Sequence, residues 1–399
     1  MRIVDVAEFY APNGGGVRTY IDRKFTAADA AGHELFVIAP GPSDGFEARP
    51  GGGVIWVRAP GLPFDANYWM FAKAAPVHAH LDRLAPDLVE ASSPWRGAWI
   101  VANWPGAAPR TMFAHADPVA SYPQRWFAPR INPDRIDRLF EWFWVYLRRL
   151  ASQFDTSVAG STWLGRRLQA HGLRAVETIR LGADLSAFSP ALRDERLRVG
   201  LLEDLGLPVA GKLLLGVGRH HAQKRWPMII AAAVAAGADR PIGLVIVGDG
   251  IDRPQIERAA AGHANVRLQA PTRDRNVIAT LFASADALIH GSESETFGLV
   301  AAEALASGLP VILPDRGACS ELAPATVSEI YRSADTQSAT AAIHRLFARD
   351  PQTLRAAALE AAPQVRSDTE HYAELFDLYG EIVRRAAPRN RRRSAQWPR

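Results

Sequence analysis

The stretch SESETFGLVAAEALASGLPVILPDRG, residues 292–317, decides how this chain folds. A Ser/Glu-rich loop enters an alanine-rich helix, Gly308 and Pro310 stop that helix, and Val311, Ile312 and Leu313 begin a short apolar strand. Loop, helix, tight turn and buried strand in this order form one repeat of an alternating α/β chain with parallel strands. Two carboxylates, Glu295 and Glu303, stand on either side of the Phe297-Gly298 step that opens the helix. Their position asks for a chemical reason.

The alternation continues in both directions. Strands are expected at residues 3–7, 35–39, 54–57, 87–91, 111–114, 156–159 and 177–181, then at 213–217, 244–247, 266–268, 287–290, 311–313 and 329–331. Segments of helical period separate most of them, which predicts two doubly wound parallel sheets. A length of 399 residues also suits two domains. Gly, Pro and charge concentrate between residues 182 and 212, where the linker is placed. The expected division is 1–190 for a first domain and 191–366 for a second. A C-terminal helix at 367–385 should return to the first domain, and 386–399 should be a basic, disordered tail.

Composition removes several classes. With 48% hydrophobic and 22% charged residues the chain can build ordinary cores. The single cysteine, Cys319, excludes a disulfide framework, and no CxxC or clustered His/Cys spacing suggests structural zinc. The N-terminus reaches Asp5 and Glu8 too early for a signal peptide, and no apolar run approaches the ~18 residues of a membrane span. A cytoplasmic protein is expected, with peripheral attachment to the cytoplasmic face of a membrane left open. The net charge of +4 comes from the tail: seven arginines follow Glu381, so the body carries 4 − 7 = −3. A nucleic-acid partner is therefore not expected.

Two glycine-rich turns follow strands. Gly14, Gly15 and Gly16 come after the first strand, and Gly218-Arg219 with Lys224 after the strand at 213–217. Open α/β sheets bind ligands at the carboxyl ends of their strands, and glycine lets a backbone approach a phosphate. The amides of Gly298, Leu299 and Val300, at the start of a helix, form an anion site together with the helix dipole. Arg219, Lys224 and this helix end make a diphosphate clamp. Carboxylates would repel phosphate, so Glu295 and Glu303 should face its flanks, where vicinal sugar hydroxyls offer paired donors. An ordinary acidic helix start is the plain alternative for Glu295.

The run Glu295-Thr-Phe-Gly-Leu-Val-Ala-Ala-Glu303 resembles the E-x7-E signature of retaining glycosyltransferases of family 4. Gly14-Gly15-Gly16, Gly218-Arg219 with Lys224, Gly248-Asp249-Gly250 and Ser307-Gly308-Leu309-Pro310-Val311 match in order. The resemblance covers essentially the whole chain. It implies the GT-B fold, two Rossmann-like doubly wound domains facing a central cleft, with 1–190 binding the acceptor and 191–366 the nucleotide sugar. It also implies catalytic or donor-binding roles residue by residue: Arg219 and Lys224 on the diphosphate, Glu295 on the transferred sugar, Glu303 on the ribose. Phe297, Gly298, Leu299 and Val300 would border the donor, Gly15 and Gly16 would approach it from the first domain, and His115 would reach the donor sugar. There are two departures. Lys224-Arg225 replaces Lys-Gly and would add a cation near the phosphate, and Arg180-Leu181-Gly182 replaces the common Pro-Asn-Gly segment.

No D-x-D triplet occurs, so no metal and no cofactor are expected, and the cations and the helix dipole would stabilise the leaving group. The substrate would be a UDP- or GDP-sugar, with similarity leaning to mannose. Similarity also favours retention by front-face attack. The acceptor would be lipid-linked or a saccharide, in glycolipid or polysaccharide synthesis of the cell envelope. In RIDRLFEWFWVYLRRL, residues 135–150, Ile136, Leu139, Phe140, Phe143, Trp144 and Leu147 share a helical stripe beside arginines. Such a face either packs on a sheet or lies on an anionic membrane. Two other readings use the same pattern: a non-hydrolysing nucleotide-sugar 2-epimerase, with His115, His220 and His221 available as acids and bases, and a nucleotide-sugar-binding protein without turnover.

Overall fold

The computed structural model describes the chain except residues 13, 14, 63, 64, 125, 126, 128–130, 273, 323 and 395–399, and except the side chains of 65, 66, 122 and 387–394. Gly14 and the last arginine of the tail lie outside the described residues. The chain forms two compact units: Met1–Asp117 with Asp137–Arg180 and Thr369–Arg399, and Pro118–Ile136 with Leu181–Asp368. The division falls at Arg180, earlier than the expected 190. The reason is local: the Ala183 amide donates to the Arg366 carbonyl at 2.8 Å and the Asp368 amide to the Ala183 carbonyl at 2.9 Å. A Cβ on Gly182 would lie 1.9 Å from the Ser367 oxygen, so the departure Arg180-Leu181-Gly182 has a structural role in this crossing.

The first unit carries an eight-stranded sheet in the order β10-β9-β8-β7-β1-β2-β4-β3. Its strands are β1 (Arg2–Val6), β2 (Glu34–Gly41), β3 (Gly45–Arg49), β4 (Gly52–Arg58), β7 (Leu88–Ala91), β8 (Arg110–Ala114), β9 (Thr156–Ala159) and β10 (Val176–Thr178). All pairs are parallel except β3 with β4. The strand β3 was not expected. Its sequence, GFEAR, is largely exposed at the sheet edge and shows no apolar alternation. A small hairpin of β5 (Gly61–Leu62) and β6 (Asp65–Trp69) was also missed.

The second unit has six parallel strands in the order β13-β12-β11-β14-β15-β16. These are β11 (Lys212–Val217), β12 (Ile242–Val247), β13 (Val266–Gln269), β14 (Ala287–Ile289), β15 (Val311–Pro314) and β16 (Ser328–Tyr331). Alternate residues of each strand feed opposite cores. Leu213, Leu215, Val245 and Leu288 pack with Leu202, Phe282 and Ala301 of one helical layer. Leu214, Leu244, Ile246 and Ile289 pack with Trp226, Ile229 and Ile343 of the other. Strands buried on both faces explain the continuous apolar runs in the sequence. The chain order reverses between β11 and β14, the switch point where such sheets take ligands.

The last helix runs Asp368–Ser394. Residues 386–394, expected to be disordered, are therefore helical, in keeping with the good helix propensity of arginine.

Candidate active site

The residues singled out in the second unit gather at the switch point. Arg219 and Lys224 follow β11, and Glu295 to Val300 follow β14. The two loops touch: a Cβ on Gly291 would lie 2.3 Å from the Lys224 carbonyl oxygen. Only glycine at 291 allows this contact. Across it, Lys224 Nζ makes an ion pair with Glu295 Oε1, and His290 Nε2 lies 3.6 Å from the same oxygen. Lys224 and Glu295 are 16% and 23% exposed and His290 only 2%, so the pair borders solvent while the imidazole lies beneath it.

Burial alone would raise the Glu295 carboxyl, but Lys224 and then His290 outweigh it and hold the group well below the usual carboxylate range. Burial, reinforced by the Lys224 charge, lowers the His290 imidazole. Glu295 is therefore ionised and His290 neutral near pH 7, an anion and a neutral ring side by side. His290 was not singled out in the sequence. The available signal was a polar residue closing the buried run Ala287–Ile289 at a switch point.

Arg225 does not add a free cation. Its guanidinium grips Glu293 with two hydrogen bonds, Nε to Oε2 at 2.5 Å and Nη2 to Oε1. Burial opposes the charge of Arg225, but the hydrogen bond and field of Glu293 raise its pKa overall. Arg219 is different. Its side chain is exposed and makes no hydrogen bond or ion pair among the described residues, while its carbonyl accepts the Trp226 indole at 3.0 Å. The exposed charge is thus held on an anchored backbone.

The helix Leu299–Ala306 starts at Gly298, whose φ of +88° suits glycine, and no side chain caps this end. A Cβ there would also meet Cys319 Sγ at 2.4 Å. Burial pushes the Cys319 thiol well up, so it serves as packing. The first amides of the helix are available to an anion. The Phe297 ring is buried against Ala183 and Ala302, which leaves only its backbone for a ligand. Glu303 stands partly exposed four residues after Leu299. His220 is fully buried, its carbonyl accepting from Asp252 and its amide donating to Asp249. Burial, with Arg253, lowers its pKa.

The first unit holds the remaining candidates. Gly15 caps the helix Gly16–Ala30, and a Cβ on Gly15 or Gly16 would meet no atom within 4 Å, so the space beside both is open. His115 follows β8 and packs on Phe113 and Tyr20, ring centroids 4.6 and 4.9 Å away. Burial, with the Lys24 charge, lowers its pKa to about 3. His115 and His220 are therefore neutral near pH 7. Behind His115 lies a group that the sequence does not signal. Asp5 and Glu90 are opposite one another on β1 and β7, and buried Lys24 bonds to both. Tyr379 of the last helix donates to Glu90 and Ser92 to Asp5 at 2.7 Å.

Residues 211–349 match the family described as Glycosyl transferases group 1, and residues 14–187 match Glycosyltransferase Family 4. A GDP-mannose-dependent alpha-(1-6)-phosphatidylinositol dimannoside mannosyltransferase of Mycobacterium tuberculosis (strain ATCC 25177 / H37Ra) is 31% identical over 352 residues, 84% of this chain and 87% of that protein. The chain belongs to glycosyltransferase family 4. It is a hexosyltransferase with the two Rossmann-like domains of the GT-B fold. A GDP-mannose-dependent alpha-mannosyltransferase of Corynebacterium glutamicum is 29% identical to this family 4 enzyme, over 79% of this chain and 73% of that one. Sucrose-phosphate synthase of Thermosynechococcus elongatus shares the fold, with a TM-score of 0.75 at 19% identity over 96% of this chain and 99% of that structure.

Proposed function

We propose that this family 4 enzyme transfers mannose from GDP-mannose to a lipid-linked acceptor in the synthesis of envelope glycolipids. The observation that carries the reading is the grouping, at one switch point, of the Lys224–Glu295 pair with an Arg219 cation and a helix end that have no side-chain partner among the described residues. In this reading the diphosphate lies on Arg219, Lys224 and the amides of Gly298 to Val300. Lys224 turns from Glu295 to the phosphate, which leaves the ionised Glu295 to accept the sugar hydroxyls, with Glu303 accepting from the ribose. The developing charge on the leaving diphosphate is then met by fixed cations and amide dipoles without a metal. The acceptor attacks on the leaving-group face, and retention follows.

The mannose donor is supported by the activities named for the mycobacterial and corynebacterial relatives, and the lipid acceptor by the phosphatidylinositol dimannoside in the mycobacterial one's name. A surface supports the same acceptor class. In the helix Glu141–Ala151, Phe143, Trp144 and Leu147 are buried, so part of the apolar stripe is structural. A second row remains exposed: Leu139 at 67%, Trp142 at 65% and Val145 at 51%. Arg138 and Arg149, both exposed, flank it. An apolar ridge between arginines suits a peripheral contact with an anionic bilayer. Among the described residues no helix is long and apolar enough to cross a membrane.

The test is a panel of GDP- and UDP-sugars, scored by thermal shift and slow hydrolysis, with and without a chelator. GDP-mannose should stabilise and be hydrolysed in both conditions. Preference for a UDP-sugar would overturn the donor, and loss of turnover with chelator would overturn the metal-free mechanism.

A further inference from the structure

The second sheet also borders a cavity at the opposite ends of its strands. At the amino ends of its strands, where Lys212 opens β11, Asp286 precedes β14 and Pro310 precedes β15, lies a cavity of about 590 Å³ bordered by the helix Pro351–Ala361. That volume is in the range of small-molecule sites. Its lining includes five basic side chains, Arg193, Arg198, Lys212, Arg349 and Arg355, against one carboxylate, Asp286.

Three of the five charges are matched. Arg198 binds Asp286 through Nη2 at 2.9 Å, Arg193 binds Glu195 at 3.0 Å, and Arg349 pairs with Glu329. Two are not. Arg355 donates from Nη1 to the Gly308 carbonyl at 2.8 Å and has no carboxylate partner among the described residues. The Lys212 ammonium makes no hydrogen bond or ion pair among them. Burial, and then the like charge of Arg193, lower the pKa of Arg355, and the field of Asp286 offsets them only in part.

Helix capping does not account for the whole cluster. Arginines often satisfy the last carbonyls of helices, and Arg193, bonded to the Ala283 carbonyl at 3.2 Å, does so here. Arg355 does the same for Gly308 with one of its five N–H donors. Capping explains neither Lys212 nor the placing of Arg355 against Arg193. Unmatched positive charge in a concave, partly desolvated wall draws anions. Apart from Gln352, the rest of the wall is apolar, with Leu346, Phe347, Leu354 and Leu359.

We propose that this cavity is a second anion site, for a phosphate monoester that carries an apolar body. The phosphate would take the free donors of Arg355 and the Lys212 ammonium, and the apolar body would lie on Leu354, Phe347 and Leu359. This site lies at the opposite ends of the strands from Glu295 and is independent of the donor assignment.

Calorimetric titration of the full chain tests it, with phenyl phosphate, dodecyl phosphate below its micelle concentration, and inorganic phosphate as probes. The variants are Lys212→Glu, Leu359→Glu and, to remove the donor-site cation, Lys224→Gln. The wild type and Lys224→Gln should bind one phenyl or dodecyl phosphate per chain. Lys212→Glu should weaken both by about tenfold or more, the size of one lost charge-assisted contact. Leu359→Glu, at a 43% exposed rim position where folding is not at stake, should weaken the dodecyl ester most. A dodecyl preference over phenyl phosphate identifies the source as a lipid-like ester; a phenyl preference identifies a small soluble one. Binding lost in Lys224→Gln, unchanged in folded Lys212→Glu, equal for inorganic phosphate, or absent altogether overturns the proposal.

Discussion

Replacing Lys224 with methionine separates the two roles that its position allows. Lys224 is the cation in contact with Glu295, and both side chains are mostly shielded from water, at 16% and 23% exposure. Removing it leaves an ionised carboxylate with, among the described residues, only His290, 3.6 Å away. Truncating one partner of such a pair should cost about 1–3 kcal/mol, since Glu295 keeps its desolvation penalty and loses its compensation. At this chain length the melting temperature should fall by roughly 2–6 °C. The same lysine, if it holds the donor diphosphate, supplies a charge-assisted contact, and kcat/KM should fall about 10- to 150-fold. The double variant Lys224→Met/Glu295→Gln distinguishes these effects. It no longer buries an unpaired charge, so thermal stability should return most of the way. Activity should fall further, because both donor contacts are gone. Melting curves and steady-state kinetics with GDP-mannose read the two quantities on one preparation. If kcat/KM recovers together with the melting temperature, the pair acts on the fold alone and the donor roles of Lys224 and Glu295 are wrong.

Three further outcomes follow from the geometry. His290→Asn removes the imidazole beside Glu295 without overfilling its buried site, and should reduce kcat by about tenfold with a smaller change in melting temperature, as expected of a positioning residue. A fall in stability without a kinetic effect would make His290 mere packing. Asp5 is raised to about 7 by burial, then by Glu90, against the pull of Lys24. Its folded pKa lies above its unfolded value of 3.8, so the folded chain binds the extra proton and this group's contribution to stability is lost as pH rises through that window. Asp5→Asn, which mimics the protonated form between Glu90, Lys24 and Ser92, should therefore gain on the wild type by about 1 kcal/mol per pH unit from pH 5 to 7 and level off above, read by denaturation at each pH. A constant difference would rule out the shifted carboxyl. Leu139→Glu/Trp142→Glu should abolish sedimentation with anionic vesicles while hydrolysis of the donor in solution stays within about twofold; unchanged sedimentation would remove the ridge from the membrane contact.

The strand series was legible because buried parallel strands need unbroken apolar runs, and each expected run of the two main sheets is a strand. The edge strand Gly45–Arg49 was not, since a solvated edge carries no such pattern. Glu295 and Lys224 could be selected from the sequence, but their pairing could not. It depends on Gly291 allowing two loops distant in sequence to touch. Arg225 was read as a spare cation because its partner Glu293 lies on the other loop. Asp5 and Glu90 each looked like an isolated acid in an apolar strand, and only the register of β1 against β7 puts them opposite one another with Lys24 between. The apolar stripe at residues 135–150 was visible as a stripe, whereas its division into a buried row and an exposed row is set by packing on Trp95 and Trp99.

The most direct measurement is transfer of label from radiolabelled GDP-mannose into organic-extractable lipid by the wild type and by Glu303→Ala, using membranes as the acceptor source. Labelled lipid is expected with the wild type, and about 10- to 100-fold less kcat/KM with the variant, whose ribose contact is gone while its fold is intact. Equal transfer by Glu303→Ala, or no transfer and no hydrolysis by the wild type with any GDP- or UDP-sugar, would contradict the assignment of this site to a mannosyl donor.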